Sequence, residues 1–348
     1  MSTPLHIVGV EELKELVLTI LRGHGLREPD AQDVCEILVL ADLFGLSTHG
    51  VLRLISYTER MRLGGIKVKP DVRVQAVAPA LLRVDGDNGV GPLVGMRALQ
   101  AAMKAAREAG VALALARGSN HFGPIAPYCH LAAQQGFATL IASNASLTIT
   151  PWGGRQTRLG NNPIGWSVPR PGRDPVVLDM ALSVAARGKI RSAAKAGQSI
   201  PEGWATDAQG QATTDPHEAL KGFLLPVGGH KGYGLAVMVD LFAGLLSGAS
   251  YLTGVRSWQD DPDKPQDLGH FFLVIDTLRL GNSDWLLERM NDFVGIVHDT
   301  PAADPAQPVQ LPGEREYARM HAQLEQGVGI AQDLYQQLQE LALGRVRL

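Results

Sequence analysis

The chain has 348 residues, 45% of them hydrophobic and 19% charged, and a formal net charge of −3. It is globular and long enough for two or three domains. The slightly acidic balance argues against a nucleic-acid partner, and no apolar run is long enough to make a membrane the partner. Cys35 and Cys129 are the only cysteines and form no Cys-x-x-Cys pair, which argues against a disulfide framework or a structural zinc. Residues 1–6 lack the order of a signal peptide, and a cytoplasmic location fits.

Val8, Leu13, Leu16, Val17, Ile20 and Leu21 recur at helical spacing until Gly23 and Gly25 stop them. Asp30 is the expected cap of a second helix running to Phe44. A third helix carries Arg53, Tyr57 and Arg60 near one face and ends at Gly64-Gly65. Strands are expected through 72–76 and 81–84, followed by a turn over 85–89 and an alanine-rich helix over 92–109. Residues 111–116 read as a buried strand that ends abruptly in Gly118-Ser119-Asn120-His121. Next come a helix over 124–135, a strand over 138–143, a loop over 144–165, a strand over 175–180, a helix over 183–196 and an irregular stretch over 197–229. Residues 231–246 form a helix that is apolar nearly all round, hence buried in the core or against a second subunit. A charged loop over 258–269, a strand over 271–275 and one glutamine-rich helix over 313–341 complete the chain. Alternating strands and helices give the α/β class, with helices dominating both ends.

Polar residues that could do chemistry fall at the ends of these elements. His121 follows a buried strand, where α/β proteins place ligands, and a histidine there can exchange protons near neutral pH. Asn120 beside it could hold an oxygen or a ring. His49 and Arg53 are four apart and would share a helix face, with Tyr57 one turn further on. A guanidinium suits bidentate capture of a carboxylate. Gly228-Gly229-His230-Lys231 opens a helix, where free N–H groups and a lysine attract phosphate. Each has a plainer reading as a loop histidine, a solvated polar stripe or a flexible turn. No Walker A motif exists, since Gly232 follows Lys231. Gly89-Val90-Gly91-Pro92-Leu93-Val94-Gly95 is one residue too long for the Rossmann fingerprint. The ten histidines include no His-x-His or His-Glu-x-x-His pattern, so no metal is expected.

Six segments, in order along nearly the whole chain, resemble those of the malate/L-lactate dehydrogenase family of the non-Rossmann type. Thr48-His49-Gly50-x-x-Arg53-x-x-x-Tyr57 is similar to its S-H-G-x-x-R-x-x-x-Y segment, and Ser119-Asn120-His121-Phe122-Gly123 to its N-H-F-G. Gly160-Asn161-Asn162-Pro163 resembles G-T-N-P, Asp179-Met180-Ala181 resembles D-M-A, Lys231-Gly232-Tyr233-Gly234-Leu235 resembles K-G-Y-G-L, and Pro312-Gly313-Glu314 a late P-G-E. The family includes ureidoglycolate, sulfolactate and diketogulonate dehydrogenases and piperideine-2-carboxylate reductases.

The resemblance implies a three-layer α/β/α fold with a mixed sheet and an interlocked homodimer, with NAD or NADP in a cleft near the subunit interface. It implies a helical substrate-binding and dimerisation region over 1–75, joined by residues 310–348, and an NAD(P)-binding domain over 76–309. His121 would be the acid/base, with His49 beside it in the catalytic pair. Arg53 would hold the substrate carboxylate, and Thr48, Tyr57 and Asn120 would line the substrate. Asn144, Ala145, Ser146, Asn162, Asp179, Met180, Ala181, His230 and Lys231 would contact the cofactor. Thr48 stands where the family has serine and keeps the hydroxyl. Asn161 replaces threonine. Ala145 stands where at least one relative has a serine, so backbone or Ser146 would make that contact.

The expected reaction moves a hydride between nicotinamide and C2 of a small 2-hydroxy or 2-keto acid of the malate, lactate or ureidoglycolate kind. Reduction of a cyclic imino acid is the alternative enzyme reading, and a nucleotide-binding protein without chemistry the alternative outside enzymes. Arg117, Arg155, Arg158 and Arg187 are the candidate partners of an NADP 2′-phosphate.

Overall fold

The computed structural model describes residues 4–344. The ends of the two terminal regions expected from sequence, 1–3 and 345–348, lie outside the described residues. In chain order the elements are β1 (Leu5–Val8), α1 (Val10–Gly23), α2 (Glu28–Leu43), α3 (Arg53–Leu63), β2 (Arg73–Ala78), β3 (Leu81–Asp85), α4 (Gly91–Ala109), β4 (Val111–Ser119), α5 (Ala126–Gln134), β5 (Phe137–Ser143), β6 (Leu147–Ile149), β7 (Leu159–Gly160), β8 (Ile164–Val168), β9 (Val176–Met180), α6 (Arg187–Ala196), α7 (Pro216–Lys221), α8 (His230–Val239), β10 (Leu268–Asp276), α9 (Ser283–His298), α10 (Glu314–Gln326), β11 (Val328–Ala331) and α11 (Gln332–Ala342).

The main sheet runs β2-β3-β4-β10-β5-β8-β9 and is mixed: β3 and β4 pair in parallel, and every other pair is antiparallel. Strand alternation sorts its side chains into two layers. Ala112, Ala114, Ala116, Ile141, Phe272 and Val274 join the core shared with α4 and α5. Leu113, Leu115, Ala142, Phe271 and Leu273 face the opposite layer, built by α8 and the segment after it. The result is helix, sheet, helix. The chain ends meet: β1 pairs antiparallel with β11, and α1 packs on α11.

Several expectations are corrected. The Lys231 helix does not run regularly to 246, because α8 widens into a π-helical turn over Asp240–Leu245. Gly269 on β10 lies so close beneath this turn that a Cβ there would sit 1.7 Å from the Ala243 carbonyl oxygen. The single C-terminal helix is broken at Gly327, whose φ of 92° ends α10 and lets β11 reach β1. Residues 144–165 are not only loop, since they hold β6 and β7 and the start of β8. Asp30 is no cap: Arg27 occupies that position, and the Asp30 carboxylate accepts from Arg27 and Arg97 instead.

The sheet is pinned at its centre by His270, which is wholly buried on β10. Its Nε2 lies 2.7 Å from Ser119 Oγ on β4 and its Nδ1 2.8 Å from Ser143 Oγ on β5. A neutral imidazole has one N–H, so one serine donates to the ring and the other accepts from it. Burial pushes this histidine down to about 3. An unfolded histidine titrates near 6.5, so between those values the unfolded chain binds the extra proton. Stability is therefore lost as pH falls from about 6.5, by an eventual amount on the order of a few kcal/mol from this group.

Two outcomes follow. Replacing His270 with glutamine, which cannot titrate, should flatten the loss of thermal stability between pH 6.5 and 4; an unchanged slope contradicts the assignment. Gly269→Ala should destabilise by roughly 1–3 kcal/mol in denaturant unfolding. Gly188→Ala, at a helical position where a Cβ meets nothing within 4 Å, should be neutral or stabilising.

Candidate active site

The carboxyl ends of β4 and β5 and the start of β10 meet at one end of the sheet, where Ser119 pairs with Leu268 and Ser143 with His270. His121 leaves β4 there. Across from it is the turn before α3, which is folded onto α2. Val51 N–H donates to Asp42 Oδ2 at 2.7 Å, and a Cβ on Gly50 would sit 2.2 Å from that carboxylate. Only glycine admits this approach. His49 therefore lies in the turn and Arg53 opens α3, which corrects the expected common helix face. The two still meet at the site, because the His49 and His121 rings lie 5.6 Å apart. Thr48 Oγ1 is 2.9 Å from His49 Nδ1 and orients that ring.

Arg53 is a cation in want of a partner. Its Nε is buried with no hydrogen bond, and no carboxylate pairs with it among the described residues. Burial pushes its pKa down. Burial and the neighbouring Arg53 push His49 down to about 4. His121 is driven well below the ordinary histidine range, by burial first and then by Arg53, His49 and Arg60. Both imidazoles are neutral at pH 7.

Tyr57 decides which nitrogen of His121 is free. The buried hydroxyl is 2.7 Å from Nδ1 and donates to the His121 carbonyl oxygen at 3.1 Å. The hydroxyl therefore engages Nδ1 and leaves Nε2 as the ring nitrogen available to a ligand; when its one proton is on the carbonyl, it accepts from Nδ1–H and Nε2 carries the lone pair. Tyr57 thus positions His121.

Asn120 is likewise scaffold. It is wholly buried, its Nδ2 donates to Asn88 and Gly89, and its Oδ1 accepts from Arg60 Nη1 at 3.0 Å. Arg60 is buried and has all five N–H groups occupied by uncharged oxygens: Pro262, Gly65 and Lys264 carbonyls, Asn120 Oδ1 and Gln266 Oε1. Gln266 Oε1 also accepts from the His121 N–H at 3.0 Å, and its Nε2 reaches Ser146 Oγ at 3.3 Å. Gln266 links the proton-transfer side to the expected cofactor side. From the same loop, the Trp258 ring lies parallel to His121 at 4.9 Å, and Arg53 sits 4.8 Å over it. Sequence reasoning missed Gln266 and Trp258. A tryptophan in an otherwise charged loop was the available signal.

The expected cofactor residues are also brought together, with divided roles. Asn162, at φ 32°, accepts from Ala145 N–H at 3.1 Å and donates to the Ala236 carbonyl at 2.9 Å, tying the end of β5 to α8. Asn144 bridges Ser250 and Gly269. Asp179 accepts from the Ile125 and Ala126 N–H groups at the start of α5, both at 2.8 Å, and burial pushes it up to about 6. These three side chains hold the framework. Met180 and Ala181 are half-buried, and His230 and Lys231 are exposed.

The first turn of α8 has no side-chain cap, and among the described residues Lys231 makes no ion pair. Thr148, Thr150 and Thr206 also carry buried hydroxyls without partners. Free helix N–H groups and an unpaired lysine fit the phosphates of a nicotinamide dinucleotide. Among the described residues, no helix is long and apolar enough to cross a membrane.

The chain's similarities agree with this geometry. The family described as malate/L-lactate dehydrogenase matches residues 8–339. The chain is 34% identical over 343 residues to malate dehydrogenase of Pyrococcus horikoshii, covering 96% of this chain and 94% of that one. The solved sulfolactate dehydrogenase of Methanocaldococcus jannaschii superposes with a TM-score of 0.90 at 33% identity, covering 98% of this chain and 97% of that one. The delta1-piperideine-2-carboxylate reductase of Pseudomonas syringae pvar. tomato does so with a TM-score of 0.87 at 32% identity, covering 97% and 99%. By a match that spans nearly its whole length, the chain belongs to the malate/L-lactate dehydrogenase family.

Proposed function

We propose that this protein is an NAD(P)-linked oxidoreductase that interconverts the C2 alcohol and C2 ketone of a small 2-hydroxy or 2-keto carboxylic acid. The observation that carries this reading is Arg53, a guanidinium with a buried, unpartnered Nε, beside a neutral histidine whose Nδ1 is held by Tyr57. The nicotinamide supplies the hydride to C2 in reduction and accepts it in oxidation. Ala145, Ser146, Met180, Ala181, His230 and Lys231 hold that cofactor, while Asn144, Asn162 and Asp179 brace the segments that do so. The exposed Arg155 and Arg158 are the candidates for an NADP 2′-phosphate; Arg117 pairs with Asp85, and Arg187 donates to the Leu220 carbonyl.

Arg53 takes the substrate carboxylate and so fixes where C2 lies. The carboxylate also cancels the charge that suppresses the His121 pKa, so binding makes this imidazole a better base. In oxidation Nε2 removes the hydroxyl proton, and in reduction it returns it to the carbonyl oxygen. His49, neutral and held by Thr48, hydrogen-bonds the substrate oxygen.

The protein acts as a homodimer. Leu235, Met238, Leu241, Phe242, Leu245 and Leu246 form an exposed apolar face along α8 and its π-helical turn. On α9, Phe293 and Ile296 are 55% and 66% exposed, and Val294 is its buried residue. Faces of this kind mark a surface that a second copy covers. Residues 1–75 and 310–348 form the substrate-binding and dimerisation region, and 76–309 the cofactor domain. The same Arg53 clamp suits a cyclic imino acid, and the likeness to the piperideine-2-carboxylate reductase supports this second reading. An imine that arrives protonated has less need of His121.

A panel of 2-keto and cyclic imino acids, followed at 340 nm with NADH and NADPH, tests the proposal. His121→Ala should lower keto-acid kcat by about 10²–10⁴-fold. Arg53→Ala should weaken carboxylate substrates while sparing an uncharged ketone. In the oxidation direction kcat/KM should hold steady from pH 8 to about 6.5 and fall only in more acid solution, as His121 takes a proton. Full turnover in His121→Ala contradicts the proton role. Cofactor binding without turnover of any substrate would favour a non-catalytic nucleotide-binding protein.

A further inference from the structure

The number of cations with free donors at the site limits the charge of what can bind there. Arg53 and Arg60 both lie beside His121, but only Arg53 has an N–H to offer. All five Arg60 N–H groups are engaged, at 2.8–3.3 Å, by oxygens of the chain itself. His49 and His121 are neutral. In the covering loop Lys264 is paired with Asp261 at 2.7 Å, and Arg256 is exposed to solvent with its Nη1 3.4 Å from the Pro265 carbonyl oxygen; neither is among the charges that act on His121. The remaining wall is the Trp258 indole, flat against His121 and beneath Arg53.

We propose that the site selects monoanionic 2-oxo or 2-imino acids whose remaining substituent is uncharged and packs on Trp258, and that it rejects substrates carrying a second carboxylate or a sulfonate. This rests on the functional reading above and narrows it. A single carboxylate cancels Arg53 and leaves the apolar remainder against the indole. Among the described residues around His121, no further cationic donor is placed to receive a second anionic group, so taking that group out of water strongly disfavours its binding. Trp258 is then the specificity-determining residue, because it occupies the wall where a second cation would have to stand. This would separate the chain from those of its relatives named for malate and sulfolactate.

The test compares kcat/KM for 2-oxobutanoate and 4-methyl-2-oxopentanoate with oxaloacetate and sulfopyruvate, using NADH and NADPH in turn. The monoanions should be favoured by ~10-fold or more. Trp258→Phe should keep that order, and Trp258→Arg should shift the ratio toward oxaloacetate by a similar factor. Equal or better turnover of either dianion overturns the proposal, as does an unchanged ratio in Trp258→Arg. If no 2-oxo or imino acid is turned over with either cofactor, the functional reading fails instead. Binding of oxamate against tartronate, read by tryptophan fluorescence with reduced cofactor present, still reports on charge selection: preference for tartronate overturns it.

Discussion

A buried guanidinium without a counter-ion organises this molecule. Arg60 is 1% exposed, and its five N–H groups end on carbonyl and amide oxygens, with no carboxylate among them. Desolvating such a charge is unfavourable unless every donor is met, so the oxygens around it are held in place as a set. They come from three places: the end of α3, Asn120 at the exit of β4, and the 262–266 loop. Arg60 therefore fastens α3, the segment carrying His121 and the covering loop to one another. Burial is what chiefly holds the His121 pKa down, with Arg53, His49 and then Arg60 adding to it.

The geometry of His121 follows from that anchor. Its N–H is held by Gln266, which Arg60 holds in turn, and its ring is set by Tyr57 from the same helix as Arg60. Beneath it, the Ser119–His270–Ser143 bridge ties together the ends of β4 and β5, from which the segments carrying His121 and Asn144–Ser146 leave the sheet. Arg53 is the contrast. It lies two turns before Arg60 on α3, yet its Nε has no partner. Of two nearby guanidiniums, the chain saturates one and leaves the other for a ligand.

Much of this was legible in the sequence. Strand 111–116 and its polar exit appear as expected, and the strand itself runs on through Ser119. His49, His121 and Arg53 come together, although His49 gets there through a turn rather than a helix. What was not legible depends on contacts distant in sequence. Asn120, Asn144, Asn162 and Asp179 look like ligand groups locally, but their partners lie 17 to 146 residues away and engage them within the chain. Trp258 and Gln266 sit in a loop without periodicity and acquire meaning only when Arg60 draws that loop over the site. The break at Gly327 was hidden because the helical pattern continues on both sides of it, and only the pairing with β1 shows why the chain turns there.

The claim that the buried Arg60–Gln266 hub serves the reaction through His121 is tested most directly by a double-mutant cycle. Gln266→Leu and His121→Ala would be made singly and together, each checked for native thermal unfolding, and kcat measured with the best keto acid of the panel. Gln266→Leu should lower kcat in the parent protein and change it little in the His121→Ala background, since the group it positions is already gone. An equal fold-loss in both backgrounds would show that the hub acts independently of His121 and would contradict the account.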